Sequence, residues 1–204
     1  MEIIPVGTLP QPHEYWEKPP IRERGDYDTV GLFHGVGVAL STWENVELVF
    51  ANMFSVFVES SSLAASRAYG AIASHSGRRE ALDNAAEIFF VSKLAKESVR
   101  ADFRTLMKHF KDAATRRNEI AHGIVTALIV DDREHGIFLM PPDYNSRKTS
   151  PEMRGIGLGE VSPLFHLEAD YRYVADDLKR FIERFDVLRV AATAFSGTIS
   201  LLVR

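Results

Sequence analysis

Three long stretches in this chain carry apolar residues at steps of three and four, and they limit the fold more than any other feature. From about His34 to Glu59 the series is Val36, Leu40, Trp43, Val46, Phe50, Met53, Phe54 and Phe57. From near Ser98 it is Val99, Phe103, Leu106, Met107, Phe110, Ala113 and Ala114; after Asp170 it is Val174, Leu178, Phe181, Ile182, Phe185, Leu188, Val190 and Ala191. That period places one apolar stripe on each of three amphipathic helices, and such stripes are stable only against one another. Shorter helical patterns lie between them. Leu63 to Ser74 is Ala-rich, and Arg78 to about Lys96 carries Leu82, Ala85, Ala86, Phe89 and Phe90. The fold expected is mainly α: a helical bundle.

The pattern changes after Gly123, which is placed to stop the long helix that begins near Ser98. Ile124 to Val130 is rich in β-branched residues, Asp131 to Gly136 reads as a turn, and Ile137 to Met140 as a second short strand. A small β-hairpin is therefore inserted before the last long helix. Pro141 to Pro163 reads as a surface loop, Phe165-His166-Leu167 as a third strand, and Asp170 as the cap of the last helix. At the other end, Pro5, Pro10, Pro12, Pro19 and Pro20 make residues 1–30 an extended arm, because each proline fixes its own φ and biases its predecessor away from helix. Tyr15 and Trp16 give that arm something to bury. Residues 31–204 are expected to form one helical domain, with the hairpin and loop at about 124–168.

Composition narrows the function. With 24 basic and 28 acidic residues the formal charge is -4, which excludes duplex binding through a uniformly basic surface; any nucleic-acid role must come from a local patch. The absence of cysteine removes disulfides and thiolate zinc sites. No leader pattern and no apolar run long enough to span a bilayer is present, so the expectation is a cytoplasmic protein with no membrane partner.

Chemistry concentrates in Arg117-Asn118-Glu119-Ile120-Ala121-His122-Gly123, at the close of a helix. Arginine can fork onto phosphate oxygens, and histidine both takes and gives a proton near neutral pH. At about 100° per residue, Arg100, Arg104, Lys108, Lys111, Thr115, Asn118 and His122 share one sector of roughly 80°. A basic stripe of that kind is ordinarily a solvated face, and its sharing a sector with Asn118 and His122 is what shifts the reading toward a functional one. Arg116 extends the basic set. Arg117 turns instead toward Val99, Phe103, Phe110 and Ala121, where an unpaired cation is costly. Glu47, between Trp43 and Phe50 in the apolar stripe of the first helix, has the same problem with opposite sign, so the two are expected to be close. Such a pair can fix helix register or orient a phosphate-binding arginine. Within a continuous helix Arg117 and His122 are about 140° apart and cannot grip one phosphate. Either the helix breaks before His122, or a second subunit supplies another copy of the motif.

The order Arg117, Asn118, three further residues and His122 at the end of a long helix resembles the signature of the HEPN superfamily. Trp43-Glu44-Asn45-Val46-Glu47 and Tyr171-Arg172-Tyr173 are similar to bacterial members with a hairpin before the final helix, and the likeness spans roughly residues 34 to 200. The resemblance implies a homodimeric, metal-independent endoribonuclease needing no cofactor, of a toxin-antitoxin, phage-defence or RNA-processing system, with an antitoxin protein as a further partner. By the same resemblance Arg117 would bind and polarise the scissile phosphate, and His122 would act in acid-base attack by the ribose 2′-hydroxyl. Asn118 would hold His122 or the phosphate; Glu47 is the supporting carboxylate that the helical wheel, not the resemblance, supplies. It equally implies an alternative, since many members have lost activity and serve as nucleotide-binding or dimerisation modules.

Other signals carry less. Gly155-Ile156-Gly157-Leu158-Gly159 lacks the helix that a phosphate loop needs straight after it. Asp131, Asp132, Glu134 and His135 read as turn chemistry, and the scattered His13, His34, His75, His109 and His166 as surface or satisfied core. Ser74-His75-Ser76 lacks the elbow and orienting acid of a nucleophile site. Arg78 and Arg79 open a helix, where cations are disfavoured, and so are expected to be held by acidic neighbours.

Overall fold

The structure, a computed structural model, describes residues 4–60, 62–130, 133–142 and 169–203. It is mainly helical with a two-stranded antiparallel hairpin before the last long helix. In chain order the helices are α1 (Pro12–Tyr15), α2 (Val30–Phe57), α3 (Leu63–Gly70), α4 (His75–Ser92), α5 (Glu97–His122) and α6 (Ala175–Ser200). Strands β1 (Ile124–Val130) and β2 (Arg133–Met140) lie between α5 and α6. The third strand expected at Phe165 to Leu167 and the glycine-rich run at 155–159 fall outside the described residues. The chain packs as two compact units. Unit one comprises Met1–Glu17, Ser41–Arg116 and Glu183–Arg204; unit two comprises Lys18–Leu40 and Arg117–Ile182.

Unit one is organised by aromatic rings on the predicted stripes. Trp43 stacks on Phe110 at 5.5 Å, Phe50 stacks on Phe110 at 3.8 Å, and Phe57 meets Phe89, Phe90 and Phe103 edge-on. All seven rings are buried. Burying each is worth about 1.5–3 kcal/mol, and favourable ring geometry adds about 0.5–1.5 kcal/mol per pair. The helix starts are set by serines. Ser62 caps α3 by accepting from Ala64 N, and Ser74 caps α4 by accepting from Gly77 N at 3.0 Å. The sequence reading ran the Ala-rich helix on to Ser74 and began the next at Arg78; the Ser74 cap instead puts His75, Ser76 and Gly77 in the first turn of α4.

The arm is not extended throughout. Val6–Thr8 forms a 3-10 turn, and Pro12, at the first position of α1, starts a single α-helical turn, because proline costs nothing where the N–H has no intrahelical partner. Trp16 is buried as expected, stacked on Phe185 at 5.6 Å.

In unit two the hairpin pairs Ile124 with Met140 and Ala127 with Ile137, with a bulge between Leu128 and Ile129. Strand β2 begins at Arg133, inside the span read as turn, and Gly136 (φ 106) supplies the left-handed conformation there. The other edge of β2 is also used: Ile137 bridges to Asp26 and Leu139 to Tyr173. Leu128, Phe138, Met140 and Val174 form a buried cluster beneath it. Helix α2 starts before the predicted His34, since Gly31 and Gly35 are weak helix formers on sequence but suit close packing. A Cβ at Gly35 would lie 2.8 Å from Leu178. Asp170 does not cap the last helix. Ala175 N is bonded by Asp26 Oδ2 at 2.8 Å and Val174 N by Asp177 Oδ2 at 3.2 Å.

Candidate active site

Helix α5 runs unbroken from Glu97 to His122, so the break before His122 that the sequence left open is absent. Arg117 and His122 therefore stand about 140° apart on one helix. Gly123 ends it without a left-handed backbone. A Cβ there would lie 2.8 Å from Leu139 and 2.9 Å from the Glu119 carbonyl, so close packing, not φ, requires glycine. Asn118 and His122 are exposed and Arg117 is half-buried. Arg117 Nη1 donates to Asn118 Oδ1 at 3.2 Å, so Asn118 steadies the guanidinium beside it.

Between these residues Glu119 anchors the end of the helix. Its carboxylate accepts from the Tyr173 hydroxyl and lies 3.2 Å from Lys18 Nζ, and its backbone carbonyl accepts from the Tyr171 hydroxyl at 2.9 Å. Tyr171 and Tyr173 stack at 4.7 Å, with Lys18 5.7 Å from the centre of the Tyr171 ring. Sequence reasoning gave Glu119 no role. The available signal was an acid next to Ile120, the buried flank of the motif.

The predicted basic stripe divides. Arg104, Lys108 and Lys111 are exposed. Arg104 is bonded to Glu97, and holds that carboxyl below the usual carboxylate range. Arg100 is half-buried and donates to the carbonyls of Phe90 and Ala95 at 2.9 and 3.3 Å. It closes the end of α4, where Leu94 takes a left-handed φ of 50, so its placement is that of a helix-end clamp rather than a phosphate contact. Arg116 is half-buried.

Glu47 is 7% exposed, as its place in an apolar stripe required. Unit one supplies it with Arg78 Nη1 at 3.2 Å and His75 Nδ1 at 3.4 Å, both from the first turn of α4. Glu47 is thus the acidic neighbour expected for Arg78, which also donates to the carbonyls of Ile72 and Gly70. The Tyr69 ring lies 5.9 Å from Arg78, and its buried hydroxyl has no hydrogen-bond partner among the described residues. Burial, reinforced by Glu47 and opposed by Arg78, pushes the Tyr69 phenol well above its ordinary range. The helical wheel pairs Glu47 with Arg117 and gives no sign of α4, because apolar periodicity carries no record of which cation a folded turn will present.

No family model, curated protein or solved structure matches this chain. Among the described residues no group of three or more acidic or histidine side chains could hold a metal ion, and no helix is long and apolar enough to cross a membrane.

Proposed function

We propose that this protein is a HEPN-like, metal-independent endoribonuclease of the cytoplasm, acting as a homodimer, in a system of the toxin-antitoxin or phage-defence kind. The observation that carries the reading is the end of α5. An exposed histidine, an exposed amide and an arginine tied to that amide occupy the last turns of one unbroken helix. Arg117 binds and polarises the scissile phosphate, and Asn118 sets the direction of its guanidinium. His122 moves the proton of the ribose 2′-hydroxyl attack, which leaves a cyclic phosphate and a 5′-hydroxyl. Lys108 and Lys111, with Arg104, attract the RNA backbone. Glu47 enters through the fold, as the shared anion of His75 and Arg78 that holds α4 to α2.

A second reading, a catalytically inactive HEPN-like RNA-binding or dimerisation module, is favoured by one observation. With α5 unbroken, the roughly 140° between Arg117 and His122 keeps one chain from presenting both to a single phosphate. Catalysis then needs a second copy, and a module that only binds does not. Purified protein incubated with total RNA and with structured tRNA in EDTA, beside the His122→Ala variant, separates the two. The enzyme reading expects cleavage without metal that the variant lacks. Equal behaviour of both proteins overturns it.

A further inference from the structure

His109, on α5 in unit one, is 1% exposed, and both of its ring nitrogens are engaged by the N-terminal segment. Trp16 Nε1 donates to Nδ1 at 3.0 Å, and Nε2 lies 3.1 Å from the carbonyl oxygen of Pro10. An indole N–H can only donate, so Nδ1 must present a lone pair; a carbonyl can only accept, so Nε2 must carry the hydrogen. The site thus fits one tautomer of the neutral ring. A second proton would have to sit on Nδ1, directly against the Trp16 N–H.

We infer that Trp16 and His109 form an acid-sensitive latch, in which a proton on His109 Nδ1 breaks the indole bond and releases the Pro10–Trp16 segment from α5 and α6. Release would lift Trp16 from Phe185 and Tyr15 from Arg184, which now lies 5.1 Å from the centre of the Tyr15 ring. It would also loosen Pro5 and Val6, which border a cleft of about 550 Å³ with Val190, Phe195 and Leu201 of unit one. Apolar surface that the segment covers at neutral pH would be opened.

The groups around the ring decide the direction. Burial opposes the proton and outweighs the Pro10 carbonyl and Asp112, on α5 itself, which both favour it, so the imidazole titrates below its ordinary value. From the N-terminal segment the ring faces Trp16 and the edge of Tyr15, at 5.8 Å; beyond Tyr15, α6 presents Arg184 and Glu183. Because the released state binds the proton more readily, docking is at full strength above the ordinary histidine range. It weakens as the pH falls through the depressed value.

The test uses the full chain and His109→Gln, whose amide offers one donor and one acceptor and does not titrate here. Hydrogen exchange of the Trp16 indole and chymotryptic cleavage after Tyr15 and Trp16 are followed from about pH 7.5 to about pH 5, with ring-nitrogen NMR reporting on His109. The latch expects the indole to lose protection and the two cleavages to appear as the His109 ring gains its proton, while H109Q stays protected throughout. Protection that survives protonation of the ring overturns the inference, as does a parallel loss in H109Q. If H109Q does not fold, the wild-type comparison of ring shift with indole protection decides alone.

Discussion

Tyr173 donates its phenolic hydrogen to the Glu119 carboxylate, joining the segment that leads into α6 to the turn of α5 that carries Arg117 and His122. Fifty-four positions separate the two residues in sequence. The Glu119 side chain is 15% exposed, and its carboxylate is shared with Lys18. A hydrogen bond to a charged group in such a place contributes about 1.5–3 kcal/mol. Tyr173→Phe, which keeps the ring and its stack on Tyr171, is therefore expected to lower unfolding free energy by about that amount in urea titration. A variant within about 0.5 kcal/mol of wild type would show that the bond holds nothing together.

Glu47 is expected to matter for stability before it matters for chemistry. Removing one partner of a buried ion pair costs about 3–5 kcal/mol, because the other charge is left without compensation. Among the described residues, Glu47→Ala leaves Arg78 bonded only to the Ile72 and Gly70 carbonyls and His75 with no acid beside it. The expected result is a loss of several kcal/mol in denaturant unfolding. Arg78→Met in a Glu47→Leu background should recover much of that loss, since apolar replacement of a whole buried pair is often neutral. Failure of the double variant to recover would place the effect elsewhere.

Lys108 and Lys111 are exposed, so replacing both by alanine should leave stability within about 0.5 kcal/mol. If RNA follows α5, the slope of log affinity against log salt should flatten by about 1.4, the contribution of two single-strand phosphate contacts. An unchanged slope would put the RNA path off this face, whatever the fate of His122→Ala.

Helix periodicity read most of this architecture directly. The stripes Trp43, Val46, Phe50, Met53, Phe57 and Phe103, Leu106, Phe110 are buried where they were placed, since burial of a regular face is a local property of the sequence. The end of α5 was equally plain from Gly123. Contacts made at a distance were not legible. The cap of α6 comes from Asp26, 149 positions away, and no local signal marks it. The Glu47 partners leave no local signal for the same reason, and Arg100 looks like surface because a wheel cannot show the carbonyls of Phe90 and Ala95 coming within its reach. At the motif, residue types and exposure were legible, whereas the anchoring of Glu119 by two tyrosines depended on the hairpin and on the Leu139–Tyr173 bridge beyond it.

Gly25 and Gly136 provide the sharpest check on that hairpin. Gly25 N donates to the His135 carbonyl at 2.8 Å, and a Cβ on Gly25 would lie 2.5 Å from the Ile137 carbonyl oxygen and 2.7 Å from its nitrogen. Those are backbone atoms and cannot turn aside as a side chain could. A Cβ on Gly136 would likewise lie 2.8 Å from the Gly25 backbone, and Gly136 also holds a φ of 106, which an L side chain rarely adopts. Gly25→Ala should therefore pull residues 25–26 off the edge of β2 and remove Asp26 from the start of α6. The expected loss is more than the cost of about 1 kcal/mol typical of point substitutions in general. Amide hydrogen exchange offers the reading: Asp26, Ile137 and Ala175 should lose protection together. Loss at Ile137 with Ala175 unchanged would separate the bridge from the cap and show that Asp26 holds α6 independently of its pairing with β2.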